Sequence, residues 1–176
     1  MNLDMTTLLY CILGLPLIFS ISAPPGFLNN TLLHWLNRIT ATAVFGCMWA
    51  MFSSFNANEA LILQYFYVDA LSMWMLMIIT TLYFAFAWTS KAYLDRDKNA
   101  RYGYLRRFTH LEGRFYALSH MFVWIMLLVV VVDNLGLMWV AIEATTLVSA
   151  LLVAFKFTRT SLEATWKYVM VCTVGI

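Results

Sequence analysis

The chain has 176 residues, 62 % of them apolar and 11 % charged, whereas a soluble domain carries roughly 25 % charged residues. A globule of this size leaves a large share of its atoms in water. The composition therefore excludes an ordinary soluble domain, a disordered chain and a disulfide-stapled secreted scaffold, and it fits a polytopic helical membrane protein. A net charge of +2 excludes a basic nucleic-acid surface, so what matters is where the charges sit.

Taken in chain order, residues 5–37 carry no Asp, Glu, Lys or Arg, and neither do 39–58, 70–90 and 115–132; Glu143 alone interrupts 134–155. About 20 apolar residues cross a bilayer core as a helix. Within the first window, Pro24-Pro25-Gly26 and Asn29-Asn30 mark a loop, because Pro lacks a donor and Gly and Asn favour turns. The spans predicted are 5–22, 38–57, 68–90, 114–132 and 135–155, with a sixth that starts near 163 and is cut off at Ile176. The expected fold is thus all-α, a transmembrane helix bundle with five full spans and a truncated sixth. A β-barrel strand alternates with period two, and Leu127-Leu128-Val129-Val130-Val131-Val132 does not. The first span reads as an uncleaved helix. Ser20-Ile21-Ser22-Ala23 is small enough for a cleavage site, but the amino end has Asp4 and no Lys or Arg, the opposite of a signal peptide.

Lys91, Arg96, Lys98, Arg101, Arg106, Arg107 and Arg114 fall in 91–114, Lys156 and Arg159 in 156–162, and Arg38 opens the second span. With the amino terminus outside, these ten share one side and only Lys167 lies within a span, while Asp4, Glu59, Asp69 and Asp133 take the other side. This is the positive-inside pattern, and it makes 91–114 a cytoplasmic loop facing lipid headgroups or a partner domain. Tyr67, Trp88, Tyr93, Phe115 and Tyr116 sit at expected interfaces, where amphipathic rings settle. The scattered methionines read as packing filler, and Cys11, Cys47 and Cys172 as small core residues. No nucleotide loop, zinc spacing, CxxC pair or nucleophile triad occurs, so neither a redox cofactor nor a metal is expected on this chain.

Three ionisable residues within spans are candidate proton-translocation residues. Glu143 falls within roughly 3 Å of the centre of span five at ~1.5 Å rise per residue, where an ionised carboxylate costs about 2.5–3.5 kcal/mol on insertion scales. It needs a partner, water or a proton. Thr146 and Ala150 lie on its face, with Thr145 and Ser149 nearby, and such small or hydroxylated residues permit close helix approach. Structural glue and a proton or cation relay are both open at this point. Lys167 lies about one turn into span six, some 12 Å in depth from Glu143, too far for a direct ion pair; a snorkelling lysine is its alternative. His120 lies in span four. Its imidazole could pass protons near neutral pH, and a core histidine is the alternative. Asp69 and Asp133, at span ends, are expected to be solvated.

The run from Asp133 to Ala150, with Gly136-Leu137-Met138-Trp139 leading to Glu143-Ala144-Thr145-Thr146, is followed by Ser161-Leu162-Glu163-Ala164-Thr165-Trp166-Lys167-Tyr168-Val169 and Cys172-Thr173-Val174-Gly175-Ile176. Together with Arg114-Phe115-Tyr116, these resemble the antiporter-like proton-translocating membrane subunits of respiratory complex I (NADH–quinone oxidoreductase), group 4 hydrogenases and Mrp-type antiporters. The wording is closest to component F of hydrogenase-4 (formate hydrogenlyase) complexes. It covers 114–176; residues 1–113 agree in hydropathy and topology only. The resemblance implies that Glu143 is the key carboxylate of the fifth helix. It gives Lys167 a place in the motif opening the sixth helix, not the role of the family's lysine on a later, broken helix. Family members have about fourteen helices with two inverted repeats, so the chain is expected to be an amino-terminal fragment or to be completed by a second chain. Residues 1–113 would be three leading helices with the basic loop, and 114–176 the start of the translocation module. The function implied is that of a non-redox membrane subunit in a hydrogenase-4 or complex I-like assembly of the bacterial inner membrane. Its partners would be other membrane subunits and the lipid bilayer. The alternatives are a subunit of an Mrp-type cation/proton antiporter and a structural membrane anchor.

Overall fold

A computed structural model describes residues 5–23, 30–55, 61–63, 65–101, 108–154 and 159–175. In chain order the elements are α1 (Met5–Ser22), α2 (Asn30–Ser54), β1 (Leu61–Ile62), β2 (Tyr67–Val68), α3 (Ala70–Arg101), α4 (Phe108–Val131), α5 (Leu135–Ala154) and α6 (Arg159–Gly175). Among the described residues, four helical segments are long and apolar enough to cross a membrane: Met5–Ser22, Ala70–Arg96, Glu112–Val131 and Leu135–Ala154. The chain is a helical, polytopic membrane protein. α2 has the length, at 25 residues, but Thr31, His34, Asn37, Arg38, Thr40 and Thr42 dilute its apolar character. α6 has 17 residues, or ~26 Å, against a hydrocarbon core of ~30 Å.

The helix ends differ from the charge-free windows in an instructive way. α3 runs through Lys91 and Arg96 to Arg101, because Lys, Arg and Ala are good helix formers. Its 32 residues reach ~48 Å, well past a bilayer core. Charge ends the membrane segment and not the helix. The expected 91–114 loop is thus helical over most of its length, and only 102–107 falls outside the described residues. α4 starts at Phe108, which moves Glu112 from a loop into a helix.

Side-chain caps set two helix starts. Asp69 Oδ1 accepts the Ser72 N–H at 2.7 Å, an N-cap bond that satisfies one orphan donor of α3. The Ser72 bonds also hold the Asp69 carboxyl below the usual carboxylate range. Asn134 Oδ1 accepts the Gly136 and Leu137 N–H groups at 2.9 and 3.2 Å and so opens α5. Asp69 and Asp133, read from the sequence as solvated span ends, therefore differ: Asp69 is a cap, while Asp133 is exposed beside the capping Asn134.

β1 and β2 pair antiparallel, Leu61 with Val68 and Ile62 with Tyr67. Phe66 bridges to Val132, and the Asp133 N–H donates to the Tyr65 carbonyl at 3.2 Å. The α2–α3 and α4–α5 connections are thereby tied at one end of the bundle. The main core lies between α1, α2, α3 and α4, with Leu9, Ile12, Val44, Met48, Leu76 and Leu127 fully buried. Leu127 and Val131 of α4 share that core with residues of α1, α2 and α3, so these four helices pack together. A smaller cluster of Ile125, Ala141 and Val148 joins α4 to α5.

Candidate functional site

α5 is apolar except for Glu143 and its hydroxylated neighbours. Leu135–Ala154 places Glu143 within ~2 Å of the helix centre. The residue is half-buried. Its Oε2 is buried and has no hydrogen-bond partner among the described residues. Thr146 does not supply one, because its hydroxyl donates to the Glu143 backbone carbonyl at 2.7 Å. Thr145 and Ser149 likewise donate to the Ile142 and Thr146 carbonyls. The hydroxyls that the sequence places beside Glu143 are therefore spent on their own helix, a common fate of Ser and Thr in helices. An acceptor left bare at mid-membrane costs free energy unless a proton, water or cation reaches it.

Lys167 does not reach it. Its Nζ donates to Glu163 Oε1 at 2.5 Å across one turn of α6, and both side chains are about two-thirds exposed. The Ser149 and Tyr168 hydroxyls meet at 2.9 Å, which sets the register of the antiparallel α5–α6 pair. Lys167 is then level with Ala150, seven residues or ~10 Å along the axis from Glu143.

His120 is fully buried in α4. It stacks on Phe19 of α1 at 4.0 Å and meets Tyr83 of α3 edge-on at 5.4 Å. Its Nδ1 lies 2.8 Å from the Tyr116 carbonyl, so Nδ1 carries the hydrogen and donates it. Nε2 is buried with no partner among the described residues. The face of α4 that packs on α5 carries Leu118, Phe122 and Ile125, which at 100° per residue lie roughly opposite His120. His120 therefore faces α1 and α3, on the side of α4 away from α5. Within the described residues, Glu143, Lys167 and His120 do not form one site.

Sequence reading missed a second polar cluster, at the Lys/Arg-rich end of the bundle. Glu112 is fully buried, and its Oε2 lies 3.7 Å from His34 Nε2. His34 Nδ1 lies 2.8 Å from the Tyr116 hydroxyl, and Ser90 Oγ reaches that hydroxyl at 3.5 Å. Asn37 donates to the Ala87 carbonyl at 3.1 Å and to Ser90 Oγ at 3.3 Å. Side chains of α2, α3 and α4 thus converge. Arg38 sits between Trp35 and Trp88, 5.9 and 5.1 Å from the ring centres, a cation–π arrangement. The signal was present: Glu112, Tyr116 and His120 recur every four residues, and His34, Asn37 and Arg38 follow helical spacing, so each set shares one face. Placing Glu112 in a loop concealed it.

Comparison with known proteins bears on the same residues. No family model matches the chain, and no solved structure does. The chain is 31 % identical over 144 residues to a hydrogenase-4 component F homolog from Methylacidiphilum infernorum. The match takes in 81 % of this chain and spans 28 % of the relative's length. A match of 144 residues cannot fit inside 114–176, so the similarity reaches well into the three leading helices, further than the wording around Glu143 implied. The chain is a helical membrane protein and a partial homologue of the antiporter-like hydrogenase-4 subunits.

Proposed function

We propose that the chain serves as a non-redox membrane subunit of a hydrogenase-4 or complex I-like assembly, in the inner membrane of a bacterium. Glu143 is its proton-carrying carboxylate. The observation that supports this most is the Glu143 Oε2, near the centre of an apolar helix and without a partner among the described residues. A packing residue in that place gains from a polar contact, whereas a carrier must be able to release and regain its proton. The neighbouring hydroxyls are bound to backbone carbonyls, which leaves the carboxylate dependent on water or on a group brought by another element. In this reading 1–113 are the leading helices, with α2 as a fifth span and the amino terminus outside, and 114–176 begin the translocation module. Lys167 and Glu163 form a charge pair at its rim. The other membrane subunits of the assembly are the partners.

Deleting the gene and assaying inverted membrane vesicles tests this reading. Loss of proton uptake driven by hydrogen evolution or by quinone reduction is the expected result. Loss of sodium-driven proton exchange alone would point to a cation/proton antiporter. Loss of complex assembly with no transport defect in the residual complex would point to an anchor.

A further inference from the structure

The groove between α3 and α4 has no part in the Glu143 reading. A cavity of about 330 Å³ is walled by Ile79, Leu82 and Phe86 of α3, Val123 and Met126 of α4, and Leu152 of α5. It shares Phe86, Ser119 and Leu152 with a second cavity of about 590 Å³, which adds Thr89, Ser90, Tyr93 and Phe115. The two make one groove along α3 and α4, from the level of Ile79 and Met126 to that of Tyr93 and Phe115. Its side is open at Leu82, which is 66 % exposed. We propose that this groove binds one acyl chain of an anionic glycerophospholipid, whose phosphate sits at the Lys/Arg-rich end of the bundle.

Length and depth select a lipid chain. Residues 70–90 of α3 carry no charge and extend ~30 Å, the thickness of a hydrocarbon core. Ile79 lies near the middle of that stretch, and ~17 Å of helix separates it from Ser90. The same ~17 Å separates Met126 from Phe115 on α4. The groove is therefore about one leaflet deep. It is also blind. In the other half, Met73 and Leu76 of α3 and Leu127 and Val131 of α4 are buried in the main core. A crossing helix needs the full thickness of the bilayer core, whereas a lipid chain needs half of it. The walls suit hydrocarbon as well. Thr89 donates to the Ala85 carbonyl at 3.0 Å, Ser90 to the Ala87 carbonyl at 3.0 Å and Ser119 to the Phe115 carbonyl at 2.7 Å. These hydroxyls are spent on their own helices, so a chain lying over them strips no polar group of its partner.

Charge at the mouth of the groove selects the headgroup. Arg96 lies three residues beyond Tyr93 and seven beyond Thr89, on the same face of α3, and it is exposed. Arg114, next to Phe115 on α4, is exposed as well. Asp95 acts on Tyr116, inside the bundle. The segment 96–107 carries Arg96, Lys98, Arg101, Arg106 and Arg107 against Asp97 alone. A phosphodiester offers the negative charge and the acceptor oxygens that arginine favours. Each basic residue near an anionic lipid surface strengthens binding about fivefold. Tyr93 stacks on Phe115 with ring centres 6.0 Å apart, which puts an aromatic pair at headgroup level, where amphipathic rings settle.

Photolabelling of the full chain in lipid nanodiscs tests the site independently of pumping. The probe is a phosphatidylglycerol with a diazirine near the end of one acyl chain, and adducts are mapped by peptide mass spectrometry. Adducts at Val123 and Met126 are expected to exceed those at Ile142 and Leu147, on the exposed face of α5. Unlabelled phosphatidylglycerol should displace them at least about fivefold more readily than phosphatidylcholine with the same chains. Leu152→Trp, which fills the groove, should bring them down to the α5 level. Arg96→Gln combined with Arg114→Gln should abolish the headgroup preference and keep the labelled positions. Even labelling of all exposed faces means a bulk lipid shell and overturns the proposal, as does equal displacement by the two lipids in the wild type. Adducts that form in nanodiscs but not in native membranes mean that a protein segment covers the groove, and this also overturns it. If Leu152→Trp does not fold, the two displacement curves of the wild type decide.

Discussion

His120 offers the sharpest separation between packing and proton transfer. The His120→Ala variant removes a fully buried ring stacked on Phe19 at 4.0 Å and edge-on to Tyr83 at 5.4 Å. Each aromatic contact is worth about 0.5–1.5 kcal/mol beyond burial, and truncating a buried side chain of this size costs roughly 2–5 kcal/mol in all. Against this stands the buried Nε2, which has no partner among the described residues and costs about 1–3 kcal/mol. The Tyr116 carbonyl loses little, because it keeps its backbone hydrogen bond within α4. The net expectation for His120→Ala is a loss on the order of 2 kcal/mol, or ~4–8 °C in Tm for a chain of this length. The His120→Phe variant preserves both ring contacts and removes the bare nitrogen, at the cost of some overpacking. It should unfold within about 1 kcal/mol of the wild type. Thermal unfolding in detergent, followed by circular dichroism, measures both. A wild-type Tm for His120→Ala, or a His120→Phe variant as damaged as His120→Ala, would refute the packing argument. Proton transport by the stable His120→Phe variant in native membranes then assigns the residue: retained transport means packing, and lost transport means relay.

Other predictions concern the caps, the topology and the exposed ion pair. Asp69→Ala should cost about 1 kcal/mol at pH 7 through loss of the Ser72 bond. Because Asp69 is held below its ordinary carboxylate value in the folded chain, its contribution is present above the unfolded value of about 4 and fades as pH falls through the folded one. The Tm gap between variant and wild type should therefore close in acid, and a gap constant down to low pH contradicts the cap. For topology, single cysteines at Tyr65 and Ala92, in a chain whose Cys11, Cys47 and Cys172 are replaced by Ser, should react differently with an impermeant thiol reagent in intact cells. Labelling at Tyr65 alone is expected, and labelling at Ala92 alone reverses the orientation. Glu163→Gln breaks the pair with Lys167, whose partners are about two-thirds exposed, and should change the unfolding free energy by less than ~1 kcal/mol. A larger loss in urea titrations would mean that the pair is covered.

The sequence made the apolar helices legible with little error. The expected 5–22 and 135–155 lie on α1 and α5 almost residue for residue, since both are nearly uncharged and α5 opens at the Asn134 cap. The expected 38–57 differs from α2 because a charge such as Arg38 reads as a span boundary in the sequence. Arg38 is instead accommodated between two tryptophans, and the helix starts eight residues earlier, at Asn30. Glu112 is hidden for the same reason: the spacing of charges along the chain does not distinguish a charge that ends a helix from one that a polar cluster inside the bundle satisfies. The small β1–β2 ribbon depends on pairing with Val132 and Asp133, far along the chain, and has no local sequence signal. Glu143 was readable because it is a lone carboxylate in an apolar run. The spending of Thr145, Thr146 and Ser149 on their own backbone was not, since helical spacing places hydroxyls on a face without fixing what they bond.

Glu143 is proposed to carry a proton and not merely to pack. Its position near the centre of α5, with a buried and unpartnered Oε2, makes the ionised form costly in the low-dielectric core and sensitive to any charge that approaches. Glu143→Gln keeps the shape and removes the titration, while Glu143→Asp shortens the arm by one methylene and keeps it. The decisive measurement is proton uptake per electron transferred in inverted vesicles of the native assembly, with complex abundance checked on native gels. Both variants should assemble normally, with uptake sharply reduced in Glu143→Gln and partly retained in Glu143→Asp. A Glu143→Gln complex that assembles and pumps at the wild-type ratio would contradict it and leave Glu143 a structural residue.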